Sequence, residues 1–255
     1  MELLPLSVLF ILGAIIASFM GVVAARLHTG ASIVVGRSRC DACNAPLTPL
    51  MMVPIVSYLI SGGRAQCCGA RLSPLAPVSE ALLGGLFVLA YLKVGLSSVL
   101  LLLLAALSLL LALVLYDLAH QILPPRLLAA FLAASALVGY LSAASFAEFR
   151  TTLFTALLIA GSLVFVHVAS RGRAMGFSDA PLVFGLSLFA GPSAFPGFIF
   201  SFWIGAAIGI ILLARRPAGS RMRVEVPFAP FLAAGFILAY FTQWNPFIFL
   251  ADSLW

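Results

Sequence analysis

The sequence predicts an all-α integral membrane protein, a polytopic bundle of about eight transmembrane helices with one long cytoplasmic segment between the first two. Three observations carry this. The chain is 63% hydrophobic and only 9% charged, whereas soluble domains run near 45–50% and about 25%. Its mean hydropathy is +1.18. Its apolar residues also come in unbroken runs, as spanning helices require, and not in the alternation of a membrane barrel. A soluble enzyme, a disordered chain and a secreted disulfide scaffold are thereby disfavoured.

Expected spans fall at 4–25, 75–92, 97–116, 127–146, 152–170, 180–191, 197–214 and 228–245, the sixth being short for a crossing. Charge orients them. With the N-terminus outside, Arg26, Arg37, Arg39, Arg64, Arg71, Arg126, Arg171, Arg173, Arg215, Arg216, Arg221 and Arg223 collect on the cytoplasmic side. Only Lys93 and Arg150 remain outside. This positive-inside asymmetry places both termini on the periplasmic side. The net charge of +6 therefore reads as topology anchors meeting anionic lipid headgroups, with no nucleic-acid partner expected.

The first span has no basic start, is too long for a signal-peptide core and is followed by Arg26, so it reads as a retained helix. Residues 27–74 then form the one extended polar segment, which holds all four cysteines, Cys40, Cys43, Cys67 and Cys68. Cytosolic thiols stay reduced, and Cys40-Asp41-Ala42-Cys43 has the C-x-x-C spacing of a zinc knuckle. The second pair, Cys67-Cys68, is vicinal where a ribbon wants two intervening residues. Four free thiols are the alternative, although so short a segment has little core and would gain from a metal staple.

Of the eight acidic residues, Glu2, Asp41, Glu148, Glu225 and Asp252 fall in expected loops or termini. Glu80 lies more than a turn into the second span, Asp117 closes the third and Asp179 opens the sixth. An ionisable group at membrane depth costs on the order of 2.5–3.5 kcal/mol on insertion scales, so function is its default reading. The alternation of spans puts Asp117 and Asp179 at the same cytoplasmic boundary. Two carboxyls that meet there share a proton, the arrangement with which aspartic proteases activate water and polarise a peptide carbonyl. The competing readings are helix-end residues and an ion or proton path. Asp179 suits a helix N-terminus, but Asp117 at a helix C-terminus opposes the macrodipole.

His28, His120 and His167 read as hydrogen-bonding rather than metal-binding. Gly84-Gly85 and the Gly205/Gly209 G-x-x-x-G are weak signals of close helix contact. Tyr240, Trp244 and Trp255 are expected at the outer interface.

Blocks spread over nearly the whole chain resemble the bacterial type IV prepilin peptidases, bifunctional leader peptidases and N-methyltransferases. They are Ala17-Ser18-Phe19-Met20-Gly21-Val22-Val23-Ala24-Ala25-Arg26, Gly36-Arg37-Ser38-Arg39-Cys40-Asp41-Ala42-Cys43, Val53-Pro54-Ile55-Val56-Ser57-Tyr58-Leu59 and Pro77-Val78-Ser79-Glu80. The first catalytic segment is matched by Asp117-Leu118-Ala119-His120-Gln121-Ile122-Leu123-Pro124-Pro125, and the G-x-G-D block by Gly176-Phe177-Ser178-Asp179. A late block is Pro227-Phe228-Ala229-Pro230-Phe231-Leu232.

The resemblance implies a bacterial inner-membrane aspartic endopeptidase. It would cut the leaders of prepilins or pseudopilins at the cytoplasmic face and then methylate the new N-terminus from S-adenosylmethionine. It makes Asp117 and Asp179 the catalytic dyad, the cysteines a zinc site, and Glu80 a residue of the methyl-transfer half. The implied organisation is a first helix over 1–26, a methyltransferase-like segment over 27–74 and a peptidase bundle over 75–255. Departures from the family pattern are Ser178 for the second glycine of G-x-G-D, Pro181 for a lysine, Pro125 for an acid, Ala65 for the third cysteine, and Gly21 and Val53 for asparagines. They fall more on the methyltransferase half than on the aspartates. The rival functions are a transporter or proton-conducting protein relaying through Glu80, Asp117 and Asp179, and a catalytically silent pilus or secretion assembly factor.

Overall fold

The computed structural model describes residues 3–27, 32, 39–40, 42–173, 175–214 and 227–246. The expected roles of Glu2, His28, Arg37, Asp41, Arg215, Arg216, Arg221, Arg223, Glu225, Asp252 and Trp255 lie outside the described residues. The helices in order are α1 (Leu3–Arg26), α2 (Val56–Ile60), α3 (Leu75–Val94), α4 (Ser98–His120), α5 (Pro125–Ser142), α6 (Phe146–Ala169), α7 (Asp179–Ala190), α8 (Ala194–Ala214) and α9 (Ala229–Thr242). Among the described residues there is no strand, only isolated bridges between Arg39 and Pro46 and between Arg64 and Arg71.

All helices but α2 follow the expected spans. Six segments are long and apolar enough to cross a bilayer, and the last of them, Asp179–Leu212, is broken by the turn at Gly191–Ser193. Leu3, Leu4, Phe154, Leu158, Phe165 and Ile210 are each more than half exposed along their helices, a surface that lipid would cover and water would not tolerate.

Where expectation and structure differ, capping chemistry explains the shift. The fourth and fifth spans were expected to part at 146–152, yet α5 ends at Ser142 and α6 starts at Phe146. Ser145 Oγ accepts the Glu148 N–H at 3.2 Å, and Glu148 Oε2 accepts the Ala144 N–H at 2.8 Å. Ser145 thus caps α6 while Glu148 reaches back to the residue before the cap, and Glu148 belongs to the first turn of α6, not to a loop. Pro125 takes the first position of α5, where a missing N–H costs nothing.

The described chain forms two compact units, one of residues 1–100 and 107–115, the other of 101–106 and 116–255. In the first, α1 packs along α3. A Cβ at Gly13 would lie 2.8 Å from Gly84 Cα, and one at Gly84 would lie 2.8 Å from the Phe10 carbonyl. Of the Gly84-Gly85 pair only Gly84 serves that contact, because the space at Gly85 is open.

In the second unit α7 packs against α5, α6, α8 and α9. Ten of its 12 residues are buried. At about 1.5 Å per residue it is roughly 18 Å long, well short of a ~30 Å hydrocarbon core. A half-length helix is stable at membrane depth when protein, not lipid, covers it. Close approach is again made by glycine: a Cβ at Gly139 on α5 would lie 2.5 Å from the Leu188 carbonyl of α7. The Gly205/Gly209 spacing carries no such contact, since Gly205 meets only ring atoms at 3.5 Å or more and Gly209 meets nothing. The α8–α9 crossing uses Gly197 against Phe236 and Gly235 against Ser201.

Candidate active site

Asp117 and Asp179 both belong to the second unit. They are 6% and 8% exposed. Asp117 lies in the last turn of α4, three residues before its end at His120, and Asp179 is the first residue of α7. Their carboxyls are close enough to interact electrostatically.

Each buried carboxylate is met by a backbone donor. The Ala229 N–H donates to Asp117 Oδ2 at 3.2 Å. Ala229 opens α9, and the first N–H groups of a helix have no partner within it. The positive end of α9 therefore faces Asp117 and offsets the unfavourable position of that residue on its own helix. Sequence reasoning saw the Pro227–Leu232 block but not this role, which joins residues 112 apart.

Asp179 sits in a closed turn. The Gly176 N–H donates to its carboxylate, and its own N–H donates to the Gly176 carbonyl at 3.4 Å. A Cβ at Gly176 would lie 3.4 Å from Asp179 Oδ2, so the first glycine of the block is the one that crowds the carboxylate. The residue at the second glycine's place, Ser178, has φ −68° and ψ −16°. That is ordinary right-handed backbone, so the serine causes no strain.

His167, near the end of α6, braces the same turn. Its Nδ1–H donates to the Met175 carbonyl at 2.8 Å, and its ring packs edge-on against Phe177 at 5.6 Å. A hydrogen-bonding role was expected of it, but not its position beside the aspartate loop. His120 is exposed and lies against Tyr116, ring centres 4.4 Å apart.

In the first unit Glu80, 6% exposed on α3, accepts the Ile55 N–H at 2.7 Å. Ile55 has φ 62° and ψ −52°, in a region that β-branched residues avoid. The Val56 N–H reaches the Pro54 carbonyl at 2.5 Å, which closes a γ-turn about Ile55. Glu80 thus pins a strained turn at the start of α2.

The four cysteine sulfurs lie within 4.8 Å of one another. Cys40 Sγ is 3.8 Å from Cys68 Sγ, and Cys43 Sγ is 3.3 Å from Cys67 Sγ. A tetrahedral ion bound at about 2.3 Å spaces its sulfurs roughly 3.8 Å apart, so the donors fit zinc in kind and spacing. The backbone N–H groups of Cys43 and Ala42 hold the Cys40 thiol down to about 7. Cys67, beside the sulfurs of Cys43 and then Cys40, is pushed up to about 12. Four thiolates this crowded need a cation to ionise together.

Residues 11–94 match the family model of the bacterial peptidase A24 N-terminal domain, and residues 104–213 match that of the type IV leader peptidase family. The prepilin leader peptidase/N-methyltransferase of Bacillus subtilis (strain 168) is 32% identical over 244 residues, which cover 92% of this chain and 93% of that protein. Proteins of the same name from Myxococcus xanthus (strain DK1622) and Klebsiella pneumoniae are 34% and 33% identical. Those matches cover 84% and 74% of this chain, and 65% and 87% of the respective relatives. No solved structure matches. The first match contains Glu80 and the four cysteines, and the second contains Asp117 and Asp179.

Proposed function

Because the chain belongs to the type IV leader peptidase family, we propose that it is a multi-pass inner-membrane enzyme that removes the leader of prepilins or pseudopilins at the cytoplasmic face. The observation that carries the reading is the buried, mutually interacting pair Asp117 and Asp179.

In this reading the two carboxyls share one proton between them. The ionised member takes a proton from water as the water oxygen bonds to the scissile carbonyl carbon. The protonated member donates to the carbonyl oxygen. Collapse then breaks the C–N bond, and the leaving amine receives the proton. Ala229 N–H and Gly176 N–H keep each carboxyl oriented without taking part in transfer. The positive-inside pattern of Arg126, Arg171 and Arg173, next to these helix ends, supports the cytoplasmic side for the cut.

The new amine is then N-methylated by the first unit, with S-adenosylmethionine supplying the methyl group when bound. The four-cysteine cluster serves there as a zinc staple for a segment with little core of its own. Glu80 holds the strained turn that leads into α2.

The test is cleavage of a prepilin in membranes by wild type, Asp117→Ala and Asp179→Ala. The reading requires the leader to be released by wild type alone; full activity in either variant overturns it. Ion flux through liposomes without peptide cleavage would replace it with a conducting role.

A further inference from the structure

The cysteine segment is built from two loops of the same design. The first is closed by the Arg39–Pro46 bridge and the second by the Arg64–Arg71 bridge. In the first, the Cys40 N–H donates to the Ala45 carbonyl at 2.9 Å and the Asn44 N–H to the Cys40 carbonyl at 2.8 Å. In the second, the Ala65 N–H donates to the Ala70 carbonyl at 2.8 Å and the Gly69 N–H to the Ala65 carbonyl at 2.7 Å. The left-handed residue also recurs, Asn44 with φ 57° and Gly69 with φ 70°.

Position by position, Ala65 therefore corresponds to Cys40, Cys68 to Cys43 and Gly69 to Asn44. Ala65 is 7% exposed and Cys40 5%, so the corresponding sites share their burial. By this correspondence the second loop should supply ligands at 65 and 68. Alanine has no donor atom. Cys67, on the exposed side of the loop, instead brings its sulfur to 3.3 Å from Cys43 and 3.9 Å from Cys68.

We infer that Cys67 has taken over the ligand role that the paired loops assign to position 65, which gives this chain a metal site closed by a vicinal Cys67–Cys68 pair. The inference rests on the zinc reading of the cluster. The second loop carries its thiol two residues along from position 65 on a backbone hydrogen-bonded like that of the first, so a thiol placed at 65 can replace the one at 67. A cysteine at 65 stands in a closed turn of the same design as the one that presents Cys40.

The experiment measures zinc content and cobalt(II) thiolate absorption on the purified full-length chain, as wild type, Cys67→Ala, and the double variant Ala65→Cys/Cys67→Ala. Wild type should hold one equivalent of metal with tetrahedral cobalt bands. Cys67→Ala should bind more weakly by over about 100-fold, beyond what supporting partners outside a ligand set cost. The double variant should recover both affinity and bands. Unchanged affinity in Cys67→Ala, or no recovery in the double variant, overturns the inference. Prepilin cleavage by the same samples separates the outcomes: a wild type that cleaves but holds no metal removes the zinc site and leaves the peptidase reading intact.

Discussion

Replacing Asp117 by asparagine and by alanine separates its chemistry from its structural hold. The carboxylate is 6% exposed and accepts the Ala229 N–H at 3.2 Å. Alanine removes the acceptor and strands the first N–H of α9 in a buried site. An unsatisfied buried donor costs about 1–3 kcal/mol, and losing the anion at a helix N-terminus adds about 0.3–1 kcal/mol. Asparagine loses the same charge but keeps an oxygen acceptor of the same reach and nearly the same volume, so its thermal unfolding midpoint should fall by the smaller charge effect alone while alanine's falls further. Neither side chain can exchange a proton with water. A general acid–base group contributes about 10²–10⁴-fold, so both variants should lose cleavage within that range. The assay is the initial rate of prepilin cleavage in lipid, paired with unfolding followed by tryptophan fluorescence. Asparagine cleaving at near the wild-type rate would refute the catalytic assignment. An alanine variant as stable as wild type would refute the hold by α9.

Other outcomes follow from the same geometry. Ser178→Gly relieves nothing at a right-handed φ of −68°, and Ser178 is the N-cap of α7 with no side-chain cap bond. It should leave the cleavage rate within about twofold and lower stability by only a few tenths of a kcal/mol, the cost of glycine at an N-cap. Glu80→Ala should depress methylation of the cleaved product and spare cleavage, as read by product mass with added S-adenosylmethionine. Adding Ile55→Gly should recover methylation if Glu80 acts by holding the φ 62° turn, and should fail to if Glu80 acts on the reacting amine.

Much of this was legible because bilayers impose simple rules. Long apolar runs had to be helices, and eight of the nine helices among the described residues lie on the expected spans. Acids at membrane depth carry a cost that makes function their default reading, which is how Asp117 and Asp179 stood out before any geometry, although Asp179 also suits a helix N-terminus. What escaped the sequence was either short-range and overlooked or long-range and unavailable. Ser145 and Glu148 carry a capping signal that would have set the start of α6 correctly. The Ala229 donor could not be found that way, because only folding brings α9 to the end of α4. The packing glycines followed the same division. The spaced pair Gly205 and Gly209 has no close contact, whereas Gly139 and Gly235, with no motif around them, leave no room for a methyl group. The vicinal cysteines looked like a defective ribbon, and the backbone hydrogen bonds around Ala65 explain why.

The most direct test of the aspartate pair is a double-mutant cycle on prepilin cleavage with Asp117→Asn, Asp179→Asn and the two combined. Residues that share one proton act as a unit, so the combined variant should be no slower than the slower single variant. Losses that multiply would mean two independent residues, and a dyad would then be the wrong description of this site.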